Sequence, residues 1–183
     1  MRKPMIAALS GAALMLAACG SDDSPANNVA EAAESDSAIL EVLAGQSDLS
    51  AATDLLKSAG LEQTLNGVGS YTLFLPVNSA FESLPEDQRT SLSSEEGRPQ
   101  AIALISQHIS PGYVAQADMM RGLSVEGGTG QLATMGAQPL ALRRQGDAVV
   151  IGTGEDGPRI VGDPVMARNG IVYRIDRVIP PAG

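Results

Sequence analysis

Only a few residues in this 183-residue chain have types and spacings that could support chemistry. His108 is the sole histidine, so a hydrolytic triad would have to use it, yet no Gly-x-Ser-x-Gly elbow presents a serine. It closes an apolar run beside "ISPGY", where it reads as a packed, hydrogen-bonded residue at a helix C-terminus. Gly152-x-Gly154-x-x-Gly157 has dinucleotide-fingerprint spacing, but that chemistry needs a following helix whose amides meet the pyrophosphate. Pro158 and the strand-like "RIVG" follow instead, so a hairpin loop is expected. "GGTG" at 127–130 lacks the lysine of a phosphate loop. Metal binding would fall to carboxylates, and neither "EDG" at 155–157 nor "DD" at 22–23 has the spaced oxygens of a calcium loop. No catalytic residue, metal or cofactor is therefore expected. Arg143-Arg144 read as snorkelling arginines on an edge strand, with anion recognition as the alternative.

The single cysteine points elsewhere. Arg2 and Lys3 precede "MIAALSGAALML", an apolar run too short to span a bilayer, which leads into "LAAC". Leu16-Ala17-Ala18-Cys19 resembles the lipobox of bacterial lipoproteins, cut just before a cysteine whose sulfur receives a diacylglyceryl group; the alternative is an ordinary signal peptide with an incidental cysteine. The lipobox reading makes residues 1–18 a signal peptide and Cys19 the lipidation site. Acyl chains such as palmitate, at roughly 0.8 kcal/mol per buried methylene, then hold the protein on the membrane. No cysteine remains for a disulfide, metal site or nucleophile. Residues 19–35, "CGSDDSPANNVAEAAES", are small, polar and acidic: a flexible tether spanning on the order of 20 Å. Gly20 after the cysteine is compatible with outer-membrane sorting, so the expected location is the bacterial cell membrane or outer membrane, with the domain in the periplasm or at the surface.

The formal charge is −9, and removing residues 1–18 leaves 10 bases against 21 acids, −11. Such a surface repels phosphate backbones and excludes nucleic acid as a natural partner. Aromatic content of 3% without tryptophan also leaves too few rings for base-stacking platforms.

Globular composition begins at Asp36, and residues 36–183 read as one domain. "DLSAATDLLKSAG" places Leu49, Ala52, Leu56 and Ala59 at helical spacing, with Asp48 as N-cap and Gly60 as stop. "YTLFLP", residues 71–76, alternates as a strand; Pro76 ends it, Asn78 caps the short helix that follows, and Phe81 is that helix's first apolar anchor. A further helix begins near Pro99, with Ile102, Ile105 and Ile109 on one face. Beyond Pro111-Gly112 the pattern becomes short strands: "QLATM", "LALRR", "AVVIG", "RIVG", "VMA" and "IVYRIDRVI". Asn169-Gly170 is the strongest hairpin signal, joining Val165–Ala167 to the last strand. In that strand Ile171, Tyr173, Ile175 and Ile179 face one side and Val172, Arg174, Asp176 and Val178 the other. The fold class is α+β, helices first and sheet second.

Three stretches in order resemble the fasciclin-domain family. The first is "TLFLPVNSAF", matching at Thr72, Phe74, Pro76, Asn78, Ala80 and Phe81. The second is "ISQHISPGY", matching at His108, Pro111, Gly112 and Tyr113. The third is "NGIVYRIDRVIPP", matching at Asn169, Gly170, Ile175, Asp176, Val178 and Pro181. Val77 and Gln107 depart from the family's Thr and Tyr. The resemblance implies N-terminal helices packed on a twisted, mostly antiparallel β-sandwich or wedge. It also implies that the two outer segments are neighbouring core strands whose residues mainly pack. It further implies a non-catalytic cell-adhesion or surface-interaction module binding protein or polysaccharide. A periplasmic ligand-binding or signalling module is the alternative, and a hydrolase using His108 the third reading.

Overall fold

A computed structural model describes residues 36–125, 128–154 and 156–180. The signal-like segment, Cys19, the tether and Pro181 lie outside these residues. In chain order the elements are α1 (Ile39–Ala44), a 3-10 turn (Ser47–Leu49), α2 (Ser50–Ser58), α3 (Glu62–Leu65), β1 (Tyr71–Pro76), α4 (Asn78–Glu82), α5 (Glu86–Ser93) and α6 (Arg98–Gln107). They continue with β2 (Ile109–Pro111), α7 (Gln116–Val125), β3 (Thr129–Leu132), β4 (Leu140–Gln145), β5 (Ala148–Ile151), β6 (Ile160–Ala167) and β7 (Gly170–Ile175).

The strands form two sheets, one ordered β2-β1-β7-β6 and the other β3-β4-β5. Every pairing is antiparallel except β1 with β7, which run parallel in register from Tyr71↔Gly170 to Pro76↔Ile175. The first and last family segments are thus adjacent central strands, far apart in sequence. An isolated bridge between Val150 and Arg159 joins the two sheets. This is the α+β arrangement expected.

The alternation in β1 divides the interior. Leu73 and Leu75, with Val172 of β7, face the helices and meet Ile39, Leu56 and Ile105. Phe74, with Ile171, Tyr173 and Ile175, faces the second sheet and meets Leu140, Leu142 and Val149. Both faces of β1 are buried, so its sequence is almost uninterrupted apolar. The rings of Phe74 and Tyr173 lie parallel-register neighbours apart, centroids 5.5 Å, stacked at 19°. Close approach of β1 and β7 requires Gly170: a Cβ there would collide with the Tyr71 carbonyl and the Ile39 Cδ1.

Several expectations need correction. Helix α6 buries Ala101, Leu104 and Ile105, whereas Ile102 is 36% exposed and Ile109 lies in β2. Small Ala101 is buried in the helix-side core, and a pattern read from large residues alone overlooks it. Helix α5 buries none of its residues, so it had no periodicity to find. Helix α7 falls where strands were expected to begin. "RIVG" and "VMA" belong to one strand, β6, whose register shifts between Val161 and Val165 across Gly162-Asp163-Pro164. Strand β4 is central, so Arg143 and Arg144 are not on an edge. The hairpin joining β6 to β7 turns at Arg168 and Asn169, and Gly170 already pairs with Ala167.

Candidate functional site

Most polar residues of the three family segments lie on or beside the β1–β7 pair, and Thr72, Asn78, His108, Asn169 and Asp176 bond main-chain groups. Helix α6 ends at His108, where the ring is fully buried. Its Nδ1 lies 2.8 Å from the Leu104 carbonyl and must carry the proton, because a carbonyl only accepts. Its Nε2 accepts the Ile179 amide hydrogen at 3.1 Å. Both ring nitrogens are occupied, and the tautomer follows from their partners. Burial pushes the His108 pKa down to about 4, with the Leu104 carbonyl pulling weakly the other way. The ring is enclosed and spends both nitrogens on main-chain groups.

Thr72 is buried in β1, with its hydroxyl donating to the Gly112 carbonyl at 2.8 Å and accepting from the Val114 amide at 2.9 Å. Tyr173 of β7 donates to the Val114 carbonyl at 2.8 Å, and burial raises its phenol pKa strongly. Two neighbouring strands thereby hold the loop after Pro111 and Gly112, where Gly112 adopts φ +98°. That loop turns Tyr113 outward, 45% exposed, with its hydroxyl 3.6 Å from the Met166 sulfur.

Asn78 does not cap its own helix. Val77 occupies the N-cap position of α4 and no side chain bonds there. The Asn78 Oδ1 instead accepts the Ala51 amide hydrogen at 3.1 Å, while its Nδ2 donates to the Ser47 carbonyl at 2.9 Å. It caps α2 across the domain. Asp48, expected to cap α2, accepts from Arg174 Nε at 2.7 Å. That hydrogen bond is the main reason the Asp48 pKa lies below the usual carboxylate range. Phe81, expected as the apolar anchor, is only half-buried, and the fully packed residue of α4 is Ala80.

Asn169 does more than turn a hairpin. Its Oδ1 accepts from the Ile39 amide at 2.9 Å at the start of α1, and its Nδ2 donates to the Leu65 carbonyl at the end of α3. Asp176 accepts from the Arg159 amide at 2.7 Å and closes β6 against the end of β7. Ile175 is fully buried and Val178 packs partly against the helix-side core. Gln107, where the family has Tyr, donates to the Gln138 carbonyl at 2.7 Å. Sequence reasoning missed these long-range caps, because nothing local distinguishes an asparagine that caps a distant helix from one that caps its own.

The remaining candidates behave as loops and faces. Strand β6 follows Gly152–Gly157, as expected for a hairpin, and the Ile151 amide bonds the Pro158 carbonyl. Arg143 donates to the Gly154 carbonyl at 2.9 Å, and Arg144 to Ser124 Oγ at 2.6 Å. Among the described residues no three His, Cys, Asp or Glu side chains come together as a metal site, and no helix is long and apolar enough to cross a membrane.

Comparison with known proteins agrees with this architecture. The fasciclin-domain family model matches residues 47–181. Protein sll1483 of Synechocystis is 28% identical over 155 residues, covering 84% of this chain and 79% of that protein. Transforming growth factor-beta-induced protein ig-h3 of Sus scrofa is 30% identical over 151 residues, 79% of this chain but 19% of its own length. The solved FAS1 domain pair of the insect cell adhesion molecule fasciclin I superposes with a TM-score of 0.69 at 17% identity, covering 80% of this chain and 51% of that one. The parallel pairing of its first and last signature strands, together with the family match over most of its length, makes this chain a member of the fasciclin-domain family.

Proposed function

We propose that this chain is an exported, lipid-anchored fasciclin domain that acts as a non-catalytic cell-adhesion or surface-interaction module, binding protein or polysaccharide. One observation carries the reading: the signature polar residues Thr72, Asn78, His108, Asn169 and Asp176 each bond a main-chain group outside their own element, His108 through the Ile179 amide. They build the fold, and recognition is left to the outer surface. His108, the only histidine, is closed to substrate. The likeness to an insect cell adhesion molecule supports adhesion as the use of that surface. The anchor follows from Leu16–Cys19 and the acidic tether behind it.

Two experiments test the reading. Full chain in detergent is applied to arrays of glycans, matrix proteins and bacterial envelope components at two salt concentrations. Saturable binding to at least one of them supports the proposal, and binding to none removes it. In parallel, cells are fed an alkyne palmitate. Labelling that disappears in Cys19→Ser supports the anchor, whereas no labelling of the wild type refutes it.

A further inference from the structure

Helix α5 lies over apolar surface without being buried in it. A groove of about 450 Å³ runs between α5, α6 and the C-terminal segment. Leu104 forms its floor, Leu84 and Leu92 one wall, Val178 and Pro180 the other. The second wall is held in place by the core: the Ile179 amide bonds His108, and the Ile179 side chain is buried on the sheet side. In an extended segment this turns Val178 and Pro180 the opposite way, toward the groove. The volume falls within the usual range for a small-molecule site, and the mixture of apolar walls with a few polar groups is equally typical.

The polar lining decides what fits. Asp87, Gln88 and Gln100 stand along the mouth. Asp87 is the only charged residue of the lining, and it takes part in none of the ion pairs found among the described residues. Arg89, two positions on, lines a different pocket beside α2 and forms no ion pair with Asp87. From these features we infer that the groove binds a cationic amphiphile: an apolar chain along Leu84, Leu92 and Leu104, with an amine head donating to Asp87 and the glutamine carbonyls. At the groove mouth the charge-assisted carboxylate–ammonium hydrogen bond favours amines over neutral or anionic heads. The inference rests on the groove lining alone, so it stands or falls independently of the adhesion reading.

The test uses full chain and three probes below their micelle concentrations: dodecylamine, dodecanol and dodecanoate. Calorimetry at about 0.15 M salt limits non-specific attraction to the acidic surface. Methyl NMR locates the bound molecule. Dodecylamine is expected to bind at one saturable site, at least about tenfold tighter than dodecanoate, with shifts confined to the methyls of Leu84, Leu92, Leu104 and Val178. Asp87→Asn should weaken dodecylamine about fivefold and leave dodecanol unchanged. Gln100→Trp should block all three, and Gln88→Trp provides the same obstruction from α5. All three positions are exposed, so melting temperatures should stay at the wild-type value. No saturable binding of dodecylamine, equal binding of dodecanoate, shifts elsewhere, or an Asp87→Asn affinity equal to wild type would overturn the inference.

Discussion

The Nε2 of His108 accepts the amide hydrogen of Ile179, 71 residues further along the chain and 3.1 Å away. This bond ties the end of α6 to the segment leaving β7, and it exists only while the imidazole is neutral. Its pH dependence is therefore a direct prediction. The folded pKa of about 4 lies below the unfolded value of about 6.5. The unfolded chain then binds more protons between those values, so stability is full above about pH 6.5 and falls as pH drops toward 4. The loss attributable to His108 is of the order of 3 kcal/mol across that window. Urea titrations at pH 7.5 and pH 4.5 should show it, and His108→Gln should flatten the slope between them. Asp48 acts in a lower window: its depressed pKa contributes stability that is present above the usual carboxylate value and lost below it.

Asn78→Ala should destabilise the protein by about 1–2 kcal/mol, as a lost helix cap combined with an unpaired Ser47 carbonyl. Asn78→Asp keeps the acceptor for Ala51 and should cost less. The distinguishing observation is protection of the Ala51 amide in hydrogen exchange. It falls in Asn78→Ala if the cap lies across the domain, and is unchanged if Asn78 serves its own helix.

Phe74 and Phe81 are the only phenylalanines, and the fold separates them. Phe74→Ala removes a fully buried ring stacked on Tyr173 and should cost about 3–5 kcal/mol. Phe81→Ala removes a half-buried ring and should cost only about 1–2 kcal/mol. Chemical denaturation of both variants measures the difference, and equal losses would contradict the burial assigned to them.

Two glycines should respond in opposite directions. Gly170→Ala drives a methyl into the Tyr71 carbonyl and the Ile39 side chain, at a cost of about 3 kcal/mol. Gly122→Ala lies on the exposed side of α7 with open space around it and should stabilise by about 0.5–1 kcal/mol. Thermal melts of the pair check both signs.

Much of this architecture is legible in the chain because the relevant signals are local. Residues 71–76 alternate, Gly60 ends α2 at φ +75°, and Ile171, Tyr173 and Ile175 share a face as spaced. What escaped reading is tertiary. Helix α5 is polar all round, so no period marks it. Helix α7 contains Gly122 and only two buried residues, Met119 and Leu123. Asn78, Asp48 and Asn169 have cap-like identities, but their partners are 27 to 130 residues away. The family motifs single out Thr72, Asn78, His108, Asn169 and Asp176, while the geometry alone reveals which groups they hold.

The central claim is that the signature residues maintain the interior and perform no chemistry, and His108 tests it most directly. Nitrogen NMR of the imidazole as a function of pH reads tautomer and charge at once. The account predicts one neutral Nδ1-protonated ring, slow to exchange and unchanged from pH 8 down to about pH 5. Titration near pH 6.5, or a ring protonated at Nε2 and exchanging with solvent, would contradict it.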